Sequence, residues 1–429
     1  MKAAARLLAF SALLSCSAEA AEDYRFELDE IAPRPFELGG YFEQKFETLR
    51  LREGSGAYRL AWPGAAAHEW LLRNTSTLEL AGKLSAGALS SDLRVQASQQ
   101  DDALASRTQW QQVMEGGLHW SLAPSLYLDA GKRVLRWGKG YAWNPVAFVE
   151  RPRDPADPNA SREGYVMAQG EWTRSFAGPL STLTLTGLLI PTNDNLNQDF
   201  GRRQDLNPAL KLYALAWDTD VDLMWRAEGA RPQSFGVDFS RNINAALEVH
   251  GEWARSLKTP HSTLAADSST QSGSINANSW LIGSRYITPG EITWSVEYYR
   301  NGMGYSADEL DNWYAFLGRA TLPGAPASLS TRAQTLAQSG YNKPNPGRDY
   351  VYLKSSASEP FGWLYGAAAL TLIGNVGDGS WQLQPEVSYT GWTNVELRSR
   401  LILFGGQGDA EFSSKSSRWR FETYVRWSF

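Results

Sequence analysis

The chain of 429 residues holds a single cysteine, Cys16. One thiol can close no disulfide within the chain and cannot build a thiolate metal site. Histidine is scarce as well. His68, His119, His250 and His261 stand at no metal-type spacing from one another or from an acid cluster. The Gly-x-Ser-x-Gly turn that presents a hydrolase serine is missing. These gaps argue against an enzyme and give no place for a metal or cofactor. Lys/Arg runs are lacking and the formal net charge is −5, so nucleic acid is not an expected partner. Past the first 20 residues no stretch approaches 18 apolar residues, so no transmembrane helix is expected.

Aromatics are abundant: 18 Trp, 18 Tyr and 16 Phe. A large secreted β-protein could use them, and so could a membrane barrel, where Trp and Tyr gather at the two interfaces. The N-terminus favours export. Lys2 and Arg6 precede a short apolar run from Leu7 to Leu14, and Ala18-Glu19-Ala20 supplies a cleavage site before Ala21. Residues 1–20 are therefore expected to be a signal peptide. Leu13-Leu14-Ser15-Cys16 also reads as a degenerate lipobox, which leaves lipidation of Cys16 as the other route.

The C-terminal residues alternate strictly. Trp419, Phe421, Thr423, Val425, Trp427 and Phe429 occupy one parity; Arg418, Arg420, Glu422, Tyr424, Arg426 and Ser428 occupy the other. Strand side chains alternate between faces, so one face is apolar and the other charged. A final strand ending on Phe resembles the insertion signal of outer-membrane barrels. That resemblance assigns the role to Phe421, Val425, Trp427 and Phe429 and implies the barrel-assembly machinery as a partner.

The same alternation recurs along the chain. Leu78, Leu80 and Leu84 interleave with Thr77, Glu79 and Lys83; Leu247, Val249 and Trp253 with Glu248, His250 and Glu252; Trp294 and Val296 with Ser295 and Glu297; Leu383 and Val387 with Gln384 and Glu386; Leu397 and Leu401 with Arg398 and Arg400. Hairpin chemistry at Asp218-Thr219-Asp220, Arg241-Asn242, Pro289-Gly290 and Gly377-Asp378-Gly379 predicts short periplasmic turns. Longer polar connections at roughly 52–75, 137–163, 191–207, 255–277 and 302–347 read as extracellular loops. The expected fold is all-β: a transmembrane antiparallel up-and-down barrel of about 16–18 strands over residues 38–429, after a periplasmic segment at 21–37. Ser306 and Glu309 form a capping-box pattern ahead of Leu310, Trp313, Tyr314 and Leu317, so a short helix is expected inside one long loop. It would cover the barrel mouth or fold inward as a plug.

Residues 126–172 stand apart. A strand ending Gly131-Lys132-Arg133-Val134-Leu135-Arg136-Trp137-Gly138 leads through Asn144-Pro145 into Arg151-Pro152-Arg153-Asp154-Pro155-Ala156-Asp157-Pro158, with a return strand from Gly164. This layout resembles the alginate-export porin and related uncharacterised porin families of Gram-negative bacteria, over about a tenth of the chain. The resemblance transfers no substrate residue. Three prolines fix φ and stiffen the loop. Arg136, Lys139, Arg151, Arg153 and Asp154 are the constriction candidates if it folds toward the lumen; otherwise it is a stiff, self-neutralising surface loop.

Charges on the polar parity would line an interior. Arg398, Arg400, Arg418, Arg420 and Arg426 would form a basic ladder on adjacent strands, faced by Glu171, Glu248, Glu252, Glu297 and Glu386. His250 reads as an interior histidine paired across strands rather than as a catalytic base. Three functions stay open: an outer-membrane porin-like channel for small polar or anionic solutes, a polymer exporter, or a plugged structural barrel. Partners implied are outer-membrane lipid and lipopolysaccharide, a small polar solute, and a second copy of the chain.

Overall fold

In the computed structural model the described residues are 35–105, 107–158, 160–201 and 203–429. The expected signal peptide, Cys16 and residues 21–34 lie outside them. Eighteen strands follow in order: β1 (Phe36–Leu51), β2 (Trp70–Ala86), β3 (Leu89–Asp102), β4 (Thr108–Ala123), β5 (Leu126–Arg133), β6 (Tyr165–Ser175), β7 (Leu180–Thr192), β8 (Asp205–Ala216), β9 (Thr219–Arg226), β10 (Ser234–Asn242), β11 (Leu247–Leu264), β12 (Thr270–Ile287), β13 (Ile292–Arg300), β14 (Asp349–Ser358), β15 (Gly366–Asn375), β16 (Trp381–Trp392), β17 (Val395–Gly405) and β18 (Ser417–Ser428). Each pairs with its sequence neighbours, and β1 pairs antiparallel with β18 from Tyr41↔Ser428 to Leu51↔Ser417. The sheet is thus closed and has no free edge.

Alternation sorts the side chains. On β2, Leu72, Leu78, Leu80 and Leu84 are exposed outward, while Glu79 between them is buried on the inner face. On β18, Phe421, Val425 and Trp427 point out and Glu422 and Tyr424 point in. Moving one Leu-sized side chain from water to an apolar medium is worth ~1.5–3 kcal/mol. A belt of such residues around the whole outer wall calls for an apolar solvent.

Because strands alternate in direction, connections after even-numbered strands share one end of the barrel and those after odd-numbered strands share the other. The first set is short, as at Trp217-Asp218, where both residues take positive φ (50° and 56°), the backbone of a tight hairpin. The second set holds the long loops. Two expectations change here. Gly377-Asp378-Gly379 joins β15 to β16 and so lies at the long-loop end, not among the short turns. The span 255–277 is largely strand: β11 and β12 pair on to Leu264↔Thr270 after a register shift between Ser256 and Thr259.

Helices gather at the long-loop end: α1 (Gly56–Ala61), α2 (Ala307–Ala320) and α3 (Ala327–Leu336). The expected capping box is present. The Ser306 hydroxyl accepts from Glu309 N (3.3 Å), and the Glu309 carboxylate accepts from Ser306 N (2.8 Å). Leu310, Trp313, Phe316 and Leu317 pack with Leu264, Tyr305, Leu336 and Tyr341 in one apolar cluster. These helices cover part of the mouth rather than fill the barrel: α2 rests against the extended end of β11 and against α1.

Candidate functional site

The β5–β6 connection, residues 134–164, folds inside the barrel as a strap. Its path is set where backbone donors meet wall carboxylates. Gly138 turns the chain with φ of 94°, and a Cβ there would lie 2.6 Å from the Glu252 carboxylate. Just beyond, Glu252 of β11 accepts from Lys139 N (2.6 Å), Gly140 N (2.7 Å), Asn144 Nδ2 (3.0 Å) and Val146 N (3.3 Å). Glu297 of β13 accepts from Tyr141 N and from Ala142 N (3.0 Å). Carboxylates bonded to several amides this way hold a loop more firmly than neutral acceptors do. Lys139 reaches Asp222 of β9 at 2.9 Å. The Tyr141 hydroxyl donates to Glu248 at 2.8 Å, and His250 lies between Glu248 and Glu297, 3.1 Å from each. Trp143 stacks on Tyr299 at 5.2 Å between ring centres, with Tyr350 at 5.7 Å.

The strap's far half reaches another part of the wall. Asp157 pairs with Arg400 of β17 at 2.9 Å, and Gln384 of β16 donates to Ala156 O at 3.0 Å. Counted from β5 and β6, β11 and β17 each lie about a third of the way round the ring. A loop rooted at one point and tied at two others crosses the interior. Within the strap, Glu150 is buried and accepts from Trp137 N and from Arg162 (3.0 Å). Burial pushes its carboxyl above the ordinary range, opposed by the Trp137 amide and by Arg153 and Arg162.

The constriction candidates have different fates. Lys139 is an anchor. Arg151 pairs with Asp199 and Glu163, and Arg153 donates to Gly140 O at 3.3 Å. Asp154 accepts from Ala156 N in a local turn, and Arg136 is exposed.

The ladder arginines lie on the neighbouring strands β17 and β18, and all but Arg418 meet acid. Arg426 pairs with Glu43 (2.6 Å), Arg420 with Glu422 (2.8 Å), Arg400 with Glu422 and Asp157, and Arg398 lies 4.0 Å from Glu396. Lys45 pairs with Glu47 (3.1 Å) and Glu422 (3.2 Å). Five cations (Arg398, Arg400, Arg420, Arg426, Lys45) meet five carboxylates (Glu43, Glu47, Glu396, Glu422, Asp157), so the patch sums to zero. Arg418 is exposed at the rim and joins none of these pairs. Glu386 stands opposite Arg400 in register, and Glu171 accepts from the Thr186 hydroxyl at 3.4 Å. A second lattice missed by sequence reasoning joins His119 to Asp92 and Asp129, with Arg133 on Asp92 at 2.7 Å. Strand parity alone carried its signal.

No family model matches the chain, and no curated protein matches it. Among solved structures it is similar to Acinetobacter baumannii OccAB3, at 10% identity over 92% of this chain and 99% of that one, with a TM-score of 0.51. It also aligns with a triple mutant of the Rhodopseudomonas blastica porin, at 10% identity over 92% and 100% of the two chains, with a TM-score of 0.44. At 10% identity the likeness to OccAB3 is one of fold.

Proposed function

We propose that this chain is an outer-membrane, porin-like channel for passive passage of small polar solutes, narrowed by the strap. The observation that carries the reading is the closed 18-strand wall with an apolar outside and a charged inside, crossed by a loop tied to β9, β11, β13, β16 and β17. The outside suits lipid, with lipopolysaccharide as its neighbour, and the inside suits water. On this reading residues 1–20 are removed on export. The exposed row Phe421, Val425, Trp427 and Phe429 serves the assembly machinery, and the protein has no enzymatic role. Mutual neutralisation of Arg398, Arg400, Arg420 and Arg426 by the surrounding carboxylates favours polar over strongly anionic solutes, because a zero-sum lattice sets up little net field. A lumen crossed by a strap suits small solutes better than an extruded polymer.

The test is single-channel recording of the refolded protein in a planar bilayer, with reversal potential under a salt gradient. Stable steps with a reversal potential close to zero are expected. Strong anion preference would overturn the neutral-lattice part of the reading. A silent but correctly inserted barrel would replace the channel with a scaffold.

A further inference from the structure

Three guanidinium groups gather at the long-loop end where no carboxylate answers them. Arg52 follows the last residue of β1 and is held by its own N–H donating to Ser416 O (2.8 Å). The β1–β18 register shift between Arg50 and Leu51 leaves Arg418 as the extra residue opposite this corner. Burial first, and then the like charge of Arg418, draw the Arg52 guanidinium below its ordinary pKa. The buried Arg52 Nε has no hydrogen-bond partner. Arg59 of α1 meets only neutral oxygens: Gly54 O (2.8 Å), Thr321 Oγ1 (3.2 Å) and Gly318 O (3.3 Å). Among the described residues none of the three forms an ion pair, whereas each ladder arginine from Arg398 to Arg426 other than Arg418 does.

Arg52 and Arg59 line a cavity of about 300 Å³ between α1, α2 and the 406–416 loop. Ser413, Ser414 and the Tyr314 ring complete its wall, and the buried Ser414 hydroxyl is also without a partner. Asp409 is in the lining but outside ion-pair distance of either guanidinium. Adjacent like charges that lack a counter-ion cost stability, and an anion between them reverses the sign. Guanidinium forks match the tetrahedral oxygens of phosphate. The volume leaves room for one sugar ring beside such a group.

We propose that this pocket binds a phosphate-class oxyanion carried on a sugar, with Arg52 as its main ligand, Arg418 supplying field from the rim and the Ser414 hydroxyl meeting an anion or ring oxygen. The site is separate from the strap and does not depend on channel activity. The chemistry could come from a free sugar phosphate or from a phosphorylated sugar of lipopolysaccharide.

The test is isothermal titration of the refolded full chain, in phosphate-free detergent, with inorganic phosphate, glucose 1-phosphate, glucose and purified lipopolysaccharide. Glucose 1-phosphate is expected to bind more tightly than inorganic phosphate, and glucose not at all. Arg52→Gln should weaken binding at least tenfold, Arg52→Lys less, and Ser414→Ala a few-fold, with heat-modifiability confirming that each variant is folded. Binding of lipopolysaccharide without free sugar phosphate would support the site and assign its source to the lipid. Failure of every phosphate-bearing probe to bind, or binding unchanged in folded Arg52→Gln, would overturn the proposal.

Discussion

Glu252 shows how much one interior side chain can hold. Its two oxygens take four donors from a loop more than a hundred residues earlier in the chain. Parity in the sequence placed Glu252 on the polar face, but not these partners. Most are backbone amides, which carry no signature in composition or spacing, and the residues that bring them there are Gly138 and the turn after it. Each buried donor left without an acceptor costs ~1–3 kcal/mol. Glu252→Ala is therefore expected to detach the middle of the strap while the barrel stays inserted, with single-channel conductance rising about twofold or more. Conductance and hydrogen-exchange protection of residues 139–146 both remaining at the parent level would show that the carboxylate does not hold the strap. Glu411, in the loop before β18, works in reverse. It accepts from Asn375 at 2.9 Å and from Tyr350, yet burial raises its pKa above the ordinary carboxylate value. A raised folded pKa means that the folded loop holds the proton better than the unfolded one. Its stabilising contribution is full below the unfolded pKa and is lost as pH rises through the folded one. Amides of residues 408–414 should thus exchange faster at pH 8 than at pH 5 after correction for intrinsic rates, and Glu411→Gln should flatten that difference.

Among the elements, α2 was legible because its start is written in side chains: a serine, a glutamate three residues on, then apolar residues at helical spacing. Ser306→Ala should cost about 1 kcal/mol and speed exchange in the first turn of α2 without touching the barrel. An unchanged exchange rate there would mean that the cluster around Trp313, not the cap, holds the helix end. The following helix, α3, was not foreseen. Pro326 caps it without a side-chain bond, and few of its residues are buried. The turn at Gly377 was foreseen but given to the wrong end of the barrel. Its residues make the same tight turn at either end, and only the count of strands before it decides which. The outer halves of β11 and β12 read as loop in the sequence because they are polar. They pair beyond the apolar belt, where outward side chains no longer need to be greasy.

At the scale of the whole molecule, eighteen strands agree with the upper end of the sequence estimate because each strand repeats one two-residue rule, and repetition averages out errors at single turns. The charged interior was legible for the same reason. Its neutralisation was not, since Arg400 and Arg426 meet acids that lie 243 and 383 residues away in the chain. The seam between β1 and β18 has the same long range. Gly40 and Phe429 exchange both of their backbone hydrogen bonds across it, at 3.0 Å each. Every other strand pairing among the described residues joins strands that are consecutive in the chain. Hairpin by hairpin, assembly is local, and each step closes a modest loop. The seam alone must bring together two strands separated by almost the whole polymer, with no gain until they meet. Seen as a sequence of events in time, closing that gap is expected to be the slowest step, the one in which an open sheet with two unpaired edges is most exposed to a wrong neighbour.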